Sequence, residues 1–539
     1  MRIQANLIDV HNRKIFPAEI TIRNDKIYSI EEIKIKQNRF ILPGFIDAHV
    51  HIESSMVTPV SFSRAAIRHG TVAVISDPHE IGNVLGKAGV VYMIQNGRKT
   101  PLKILFGAPS CVPATAFESS GASIDTREIE ELLNFPEVGY LSEMMNYPGV
   151  LQGDDEVMEK IQLAQSMDVP IDGHAPGLTG KGLEVYSAAG ISTDHECFTY
   201  GEAQEKISKG LKILIREGSG AKNFDTLIPL LKDYPDKIMF CTDDLHPDDL
   251  LRGHINLFVK RALQKGYDLF DVLRAAGLNA VEHYNLGVGL LKEGDPADFI
   301  IIDSLKDWNI VETYIDGQAV FSNDKVDIDF VESEKPNKFN IGTIEEKDLA
   351  VKMDGNSIRV IQAIDGELIT KEIKVRPKIA NEKVISDTDR DVLKIAVVNR
   401  YFQSKPAMGF INGFKLQKGA LASSIAHDSH NIICVGTEDI YMKEAINKII
   451  EYKGGIVVHD GKGLIGLPLE IAGIMSSGSV EHAAQKYADL SIAAGKIGSD
   501  MKAPFMTLAF MALLVIPELK LSDKGLFSGN TFSFTSLFC

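Results

Sequence analysis

Eight apolar runs of strand length follow one another through the first half of the chain, and helical stretches such as Asp154–Met167 and Thr179–Ala189 fall between most of them. Eight strand–helix repeats within about 240 residues are typical of a closed (β/α)₈ barrel, and an open, doubly wound parallel sheet is the alternative. Polar residues at the ends of the runs favour the barrel, because barrel active sites lie at those ends. The runs are Phe45–His51, Val72–Ser76, Ile104–Gly107, Val138–Glu143, Pro170–His174, Ile191–His195, Ile213–Arg216 and Ile238–Thr242.

Shorter apolar runs on both sides of this region predict a second, smaller unit. Alternating and β-branched residues, as in Ile3–Ile8, indicate half-buried strands, and similar runs such as Phe299–Asp303 return after the barrel. The charge-rich stretch Ser322–Lys347 is typical of a linker. We therefore predict an α/β protein with its barrel inserted in a β-sandwich. The predicted units are a small β-sandwich domain of residues 1–42 and 285–333, a barrel of residues 43–284 and a C-terminal α/β domain of residues 345–539.

The composition excludes some classes of partner. Acidic residues outnumber basic ones, 73 against 57, for a formal net charge of −16. Nucleic acids and anionic membranes attract clustered Lys and Arg, so we expect neither as a partner. The longest apolar stretch, Phe505–Ile516, is shorter than the ~20 residues of a membrane-spanning helix and predicts a buried core helix. The five cysteines are scattered without a C-x-x-C pair, which favours a reducing compartment and a cytoplasmic protein.

A histidine pair stands at the end of the first barrel strand, in the sequence Asp47-Ala48-His49-Val50-His51. Alternate side chains of a strand share a face, so His49 and His51 would point the same way with Asp47 beneath them. Imidazole is a ligand for several divalent metals. An isolated H-x-H is weak evidence, because two surface histidines would give the same pattern.

Other barrel strands also end in groups that bind metals. If the barrel is closed, these groups meet the histidine pair at one rim. Each has a structural alternative when taken alone, such as a helix cap or a turn. Chance would rarely place metal-binding groups at five separate strand ends, so the pattern favours a metal centre. The six candidate ligands are His49, His51, Glu143, His174, His195 and Asp243.

Two further polar groups follow barrel strands. His79 and Glu80 come after the second strand, where the alternative is a helix start with Asp77 as the cap and Pro78 at the first position. Arg216 and Glu217 end the seventh strand, where they could contact substrate or form a salt bridge at the rim. We predict a site role for His79, Glu80, Arg216 and Glu217, with those structural alternatives open.

These motifs resemble the amidohydrolase superfamily. Its opening signature is similar to Pro43-Gly44-Phe45-Ile46-Asp47-Ala48-His49-Val50-His51. Many members carry a carbamylated lysine on strand four, whereas Val138–Met144 offers none and has Glu143 instead. With glutamate at this position, the chain resembles the two-metal, bacterial type of the adenine deaminase family. The resemblance covers nearly the whole chain. Further matching stretches are Asp77–Glu80, Met145–Val150, Gly173–Gly177, Thr193–Glu196, Cys241–Asp244 and Ser423–His430.

The resemblance implies a metal-dependent hydrolase barrel that deaminates adenine to hypoxanthine and ammonia in purine salvage, using a metal-activated hydroxide. It implies two divalent ions, with Mn²⁺ or Fe²⁺ favoured and Zn²⁺ an alternative. One ion would be bound by His49, His51 and Asp243, the other by His174 and His195, and Glu143 would bridge them.

Roles in the reaction follow from that ligand set. Asp243 would be the catalytic base, and Glu143 or Glu80 would protonate N1 of the purine. The alternatives are another deaminase or cyclic amidohydrolase of the same superfamily, and a non-catalytic metal-binding barrel. The expected partner is a small purine, and the oligomeric state stays open, a homo-oligomer included.

The C-terminal segment contains a polar group between two apolar runs, with His427, Asp428 and His430 close together. Asp, Ser and Asn favour turns, so a solvated hairpin turn is one interpretation. The other is a loop over the barrel mouth that excludes water and contacts the substrate. We predict a substrate or lid role for these three residues.

Overall fold

The chain starts with four strands of a mostly antiparallel sheet in the computed structural model, which describes residues 1–35, 37–365 and 367–539. The first two strands pair antiparallel from Arg2 opposite Thr21 to Asp9 opposite Lys14. Their inward side chains, including Leu7 and Ile20, are buried. The strands are β1 (Arg2–Asp9), β2 (Lys14–Arg23), β3 (Lys26–Glu32) and β4 (Phe40–Pro43).

Eight parallel strands then form a closed barrel, which confirms the predicted fold. Strands such as β6 are buried at every residue because helices cover the outside and other strands cover the inside. The strands are β5 (Phe45–Val50), β6 (Thr71–Ser76), β7 (Lys103–Ala108), β8 (Val138–Met144), β9 (Ile171–Gly173), β10 (Thr193–Asp194), β11 (Lys212–Arg216) and β12 (Ile238–Cys241).

Hydrogen bonds close the barrel between its first and last strands. The amide of Asp243 donates to the carbonyl of His49 at 2.9 Å, and the amide of His51 donates to the carbonyl of Asp243 at 3.2 Å. Between β9 and β10, the amide of Ser192 donates to Ile171 at 2.9 Å. An open sheet would lack the first contact, so the doubly wound alternative is wrong.

Helices follow the barrel strands and surround the barrel. Local sequence determines several starts: Asp125 and Glu128 form a reciprocal capping box at α4, and the side chain of Asp154 caps α6. The helices are α1 (Pro59–Arg68), α2 (His79–Leu85), α3 (Lys87–Gly97), α4 (Thr126–Leu133), α5 (Tyr147–Gln152), α6 (Asp155–Ser166), α7 (Gly180–Ala188), α8 (Tyr200–Ser208), α9 (Phe224–Leu227), α10 (Pro247–Arg252), α11 (Ile255–Gln264), α12 (Leu269–Leu273) and α13 (Asn279–Tyr284).

The chain then returns to the first sheet. The order of the eight strands is β16-β15-β14-β13-β4-β1-β2-β3, so the predicted sandwich is one continuous sheet. It curls over its own core, since the amide of Ile27 in β3 donates to Asp295 just before β13 at 2.9 Å. The added strands are β13 (Phe299–Ile302), β14 (Ile310–Ile315), β15 (Gln318–Ser322) and β16 (Lys325–Val326). Residues 327–345 continue without helix or strand, as expected of a linker.

The C-terminal segment is built on another eight-stranded sheet, ordered β19-β18-β23-β22-β25-β24-β26-β27, with two smaller sheets beside it. The strands are β17 (Val351–Lys352), β18 (Ile358–Gln362), β19 (Lys371–Val375), β20 (Lys378–Ala380), β21 (Lys383–Ile385), β22 (Leu393–Val398), β23 (Ala407–Asn412), β24 (Ala420–Ser423), β25 (Ile432–Gly436), β26 (Gly455–His459), β27 (Leu464–Pro468), β28 (Leu519–Ser522), β29 (Gly525–Ser528) and β30 (Ser533–Phe534). Its helices are α14 (Asp439–Tyr452), α15 (Val480–Lys496) and α16 (Pro504–Phe510).

Helices cover both faces of this sheet. In β24, Ala422 packs in the core under α14, while its neighbour Leu421 packs with Leu490 of α15 and Phe505 of α16 on the other face. The turn between β24 and β25 extends to the barrel, where the side-chain amide of Asn431 donates to the carbonyl of Ser119 at 2.8 Å. The sheet therefore holds that turn against the barrel.

The stretch Phe505–Ile516 is buried as predicted, but its helix ends at Phe510. The carbonyl of Phe510 accepts from the Lys520 ammonium at 3.0 Å, and that of Met511 accepts from the amide of Leu521 at 3.0 Å. These bonds satisfy the carbonyls from outside the helix, so the helix need not continue. Within the described ranges, no helix combines the length and hydropathy needed to cross a membrane.

Candidate active site

Glu143 lies at the centre of a buried cluster at the C-terminal rim of the barrel. It is in β8, and its Oε2 is 2.8 Å from Nδ1 of His174 and 3.1 Å from Nε2 of His195. Its Oε1 is 3.5 Å from Nε2 of His51 and 3.5 Å from Nδ1 of His79. Burial alone would raise the pKa of this carboxyl, but His174 and His195 hold it well below its usual value. Glu143 is therefore an anion with one oxygen directed at each side of the cluster.

His49, His51 and Asp243 complete the same cluster from β5 and the end of β12. Asp243 Oδ1 is 3.2 Å from Nε2 of His51 and 3.6 Å from Nε2 of His49. The rings of His49 and His195 stack with centroids 4.3 Å apart. The six predicted ligands thus meet at one place, and all are buried.

The distances do not impose the predicted division into two ligand sets. One compact group of ligand atoms is formed by His49, His195 and Asp243, and another by Glu143, His174 and His195. His195 therefore belongs to both groups. The assignment of each histidine to one ion stays a prediction.

Unpartnered imidazole nitrogens show that this cluster fits divalent metals. Both ring nitrogens of His49 and Nε2 of His174 are buried without a hydrogen-bond partner in the part of the chain that the structure describes. Burial, with His195 and His51 nearby, lowers the pKa of His49 to about 3, so this imidazole is neutral. Imidazole and carboxylate groups together are a donor set that Mn²⁺, Fe²⁺ and Zn²⁺ accept. An unpaired buried polar atom is costly, and a metal ion would satisfy it.

Groups behind the ligands fix their orientation. His51 contacts the carbonyl of Asp77 through Nδ1 at 3.0 Å, which leaves Nε2 for the cluster. Asp47, predicted beneath the histidine pair, accepts from the amide of Thr242 at 3.0 Å and lies 3.0 Å from Nε2 of His254. His254 was not predicted, because it lies in a loop far along the chain with no motif around it.

Arg216 contacts the cluster through two carboxylates. Its Nη1 is 2.5 Å from Oδ2 of Asp243 and also pairs with Glu196. Burial would raise the pKa of Asp243, but Arg216 and then His51 hold it well below its usual value. Asp243 also has a left-handed backbone, with φ of 55°, which Asp tolerates better than most residues. Glu196 was missed because its position beside His195 also suits a solvated face, whereas it is buried.

Glu217 lies outside the cluster. Its carboxylate is 2.9 Å from the guanidinium of Arg261, and it lines a separate cavity of about 140 Å³. Successive residues of a strand point to opposite sides, so Arg216 and Glu217 could not both face the site. The structure thus shows the salt bridge of the structural alternative, and the substrate or lid role of Glu217 stays a prediction.

His79 lies between the rim and the C-terminal turn. Its Nδ1 is 3.3 Å from Oδ2 of Asp77, and its Nε2 is 3.6 Å from Glu80 and 3.9 Å from Asp428. It is also the first residue of α2, and its amide donates to Asp77 at 3.1 Å. His79 therefore both begins α2 and lies in the site, so the structural and functional interpretations of this residue are compatible.

The turn that contains His427, Asp428 and His430 is buried at the barrel mouth. Nδ1 of His427 is 2.7 Å from Oε1 of Glu80, and His430 pairs with the other oxygen of Glu80. Burial would raise the pKa of Glu80, but His427 and His430 hold it well below its usual value. The alternative of a solvated hairpin turn does not apply, because the three side chains are buried, two of them against Glu80, and the substrate or lid role stays a prediction.

The barrel and the C-terminal segment both line a cavity of about 30 Å³ over the cluster. Barrel residues such as Glu143 and Asp243 line one side, and His427, Asp428 and Phe510 line the other. Asp244 also lines the cavity; it was not predicted, because no pattern distinguishes it from its neighbour Asp243. That volume has room for about two water molecules.

Comparisons with known proteins match both parts of the chain. The amidohydrolase family profile matches residues 40–320, and the profile of the adenine deaminase C-terminal domain matches residues 367–533. The chain is 53% identical to an adenine deaminase of Sulfurovum sp., over 99% of each protein. It is 51% identical to that of Methanosarcina mazei, over 99% of this chain and 98% of the relative. It is 46% identical to that of Borreliella burgdorferi, over 99% of each protein.

Proposed function

The chain belongs to the adenine deaminase family of amidohydrolases, and we propose that its rim cluster hydrolyses adenine to hypoxanthine and ammonia as a step of purine salvage. The observation that carries this proposal is the meeting of six metal-binding side chains around Glu143, with buried imidazole nitrogens left unpartnered among the described residues. Ordinary structural clusters satisfy their own polar atoms.

The ligands would hold two divalent ions. His49, His51 and Asp243 would bind one ion, His174 and His195 the other, and Glu143 would contact both through its two oxygens. Bound metals of this kind lower the pKa of water from 15.7 towards ~7, which supplies hydroxide at neutral pH. Imidazole and carboxylate donors favour Mn²⁺ or Fe²⁺, with Zn²⁺ as the alternative.

Asp243 is proposed as the base. Its Oδ1 faces His49 and His51, while Oδ2 is held by Arg216 at 2.5 Å, so the carboxylate is fixed and anionic. It would take the proton of the attacking oxygen and deliver it to the departing ammonia. Arg216 would orient Asp243, and it lines the same cavity.

The ring nitrogen N1 needs a proton when C6 is attacked, because the electron pair of the C6–N1 bond moves to N1. The predicted donors are Glu143 and Glu80. Glu143 is placed centrally, and Glu80 lines the same cavity from the start of α2. His79 separates the two carboxylates and would hold them at a fixed distance.

The C-terminal turn is proposed as a lid. The turn lines the cavity of about 30 Å³ over the rim cluster, so it is placed to cover a purine bound there. His427, Asp428 and His430 belong to the C-terminal domain and close the mouth of the barrel. Lids of this kind exclude water during the reaction.

The proposed compartment is the cytoplasm. The five cysteines are free, and four of them are buried as thiols, which suits a reducing environment. The substrate is a small purine, and the net charge of −16 does not favour a nucleic-acid partner. A homo-oligomer stays compatible with these observations.

An ammonia-release assay with purified, Mn²⁺-loaded protein tests the function. We expect rapid turnover of adenine and much slower turnover of adenosine, cytosine and a cyclic amide such as hydantoin. Turnover of the cyclic amide without adenine turnover would favour another amidohydrolase reaction. Absence of turnover with every substrate, in protein that retains its metal, would favour a non-catalytic metal-binding barrel.

A further inference from the structure

The proton for N1 needs a donor that holds a proton at neutral pH, and the two predicted carboxylates are poorly suited to that task. Imidazoles surround Glu143 on both oxygens, and His427 and His430 contact the two oxygens of Glu80. A carboxylate in such surroundings is stabilised as an anion. Each can orient an imidazole, but neither is a ready acid.

His427 has the geometry of an imidazole oriented by a carboxylate. Its Nδ1 lies 2.7 Å from Oε1 of Glu80, and its ring lines the cavity over the rim cluster. A carboxylate that binds Nδ1–H leaves Nε2 as the nitrogen available for proton transfer, as in the His–Asp pair of hydrolytic triads. The ring of Phe510 packs beside it, with centroids 5.4 Å apart, and restricts its rotation.

We propose that His427, oriented by Glu80, is the acid that protonates N1 of adenine as oxygen adds to C6. This inference rests on the proposed adenine deaminase function. In it, Glu80 is a positioning residue, and the C-terminal domain supplies a catalytic group to the barrel.

The charges around His427 favour its protonated form. Burial alone would lower its pKa, but Glu80 and then Asp244 raise it to about 9. The imidazolium is therefore the dominant form at pH 7, and it loses its proton as the pH rises through about 9. The charged and titratable groups facing it are Glu80 of α2, Asp244 and His246 after β12, and Asp428 and His430 of its own turn.

The proton balance closes with this assignment. The attacking hydroxide forms a bond to C6, the C6–N1 π pair moves to N1, and His427 gives N1 its proton from Nε2. Asp243 then moves the hydroxyl proton to the amino group, the C6–N6 bond breaks, and ammonia leaves. Hypoxanthine keeps the proton on N1. Water releases one proton to solvent when it forms hydroxide. His427 takes up one proton from solvent after the reaction, so the two protons cancel.

Replacement of His427 tests the proposal in the full-length, metal-loaded enzyme. His427→Gln can still donate to Glu80 but cannot release a proton, so we expect kcat/KM for adenine to fall by about 10²–10³-fold with metal content unchanged. His482→Gln is a matched control, because His482 is exposed on α15, and we expect it to stay within twofold of wild type.

Two further readouts separate an acid from a structural residue. The fall of kcat/KM at high pH, expected near pH 9 in wild type, should move to lower pH in Glu80→Gln, because the neutral amide no longer stabilises the imidazolium. Added imidazole should restore His427→Gly at least tenfold, and more strongly below pH 7, where imidazole is protonated.

Near-normal kcat/KM in His427→Gln would overturn the proposal, as would loss of activity in His427→Gly that imidazole does not restore although metal content and folding are intact. Failure of the proposed function is a different result, since wild type itself would then release no ammonia from adenine.

Discussion

Two buried polar clusters lie next to each other in the barrel, and they differ in whether the chain itself completes them. In the first, Lys206 of α8 contacts Glu202 at 2.9 Å, Asp194 at 3.1 Å and the carbonyl of Ala175 at 2.7 Å. Asp194 accepts in turn from the amides of Ala175 and Glu196, both at 2.9 Å. The polar groups of the Lys206 cluster therefore find their partners within the protein.

The rim cluster around Glu143 is equally buried but incomplete. It has unpartnered nitrogens on His49 and His174 among the residues described. Burial of charged groups is therefore not what identifies the active site, because both clusters are buried. The missing partners distinguish the candidate active site, since metal ions could satisfy them.

The largest expected effect comes from neutralising the centre of the rim cluster. Glu143→Gln keeps the shape of the side chain but removes the negative charge that would hold two cations. We expect kcat/KM for adenine to fall by about 10³-fold and the metal content to fall with it. Metal analysis and ammonia release on the same sample check this. Near-normal turnover and metal content would remove Glu143 from the bridging position.

Asp243→Asn sharpens the contrast within the rim cluster itself. Asparagine still offers its single oxygen to a metal, but its amide nitrogen then faces Arg216 in place of Oδ2, and the amide cannot accept the proton. We expect kcat to fall by about 10²-fold or more, while the metal content falls much less. A variant with full metal and nearly full kcat would exclude Asp243 as the base.

Lys206→Met tests whether the Lys206 cluster contributes to folding stability and not to catalysis. The substitution leaves Asp194 and Glu202 buried without their cation, and breaking a buried pair in this way costs about 3–5 kcal/mol of folding free energy. We expect a lower urea midpoint, with kcat of the folded protein affected less than in Asp243→Asn. Loss of metal and activity without loss of stability would show that the Lys206 cluster is part of the active site.

The sequence could predict the barrel and the rim ligands because both depend on one repeated rule. Parallel strands of a barrel end at the same rim, so His49, His174 and Asp243 could be brought together without knowing any distance. The contact of Arg216 with Asp243 was not predictable in the same way. It depends on the side of β11 to which the side chain of Arg216 points. Glu217, the next residue, points away from the rim cluster and contacts Arg261.

The C-terminal turn shows where prediction from the sequence ends. Its polar residues suggested either a solvated turn or a lid, and the local pattern fits both. The outcome depends on how the β24–β25 turn docks on the barrel, where Asn431 bonds to Ser119 and His427 meets Glu80. Such contacts join residues more than 300 positions apart, and no periodicity in a single chain encodes them.

Reconstitution of metal-free protein tests whether the rim cluster deaminates adenine through two bound metal ions. Protein stripped with a chelator is titrated with Mn²⁺, and ammonia release from adenine is measured at each step. We expect negligible activity without metal, a rise that ends near two equivalents per chain, and no such recovery in Glu143→Gln. Full adenine turnover by protein that contains no divalent metal would contradict this expectation.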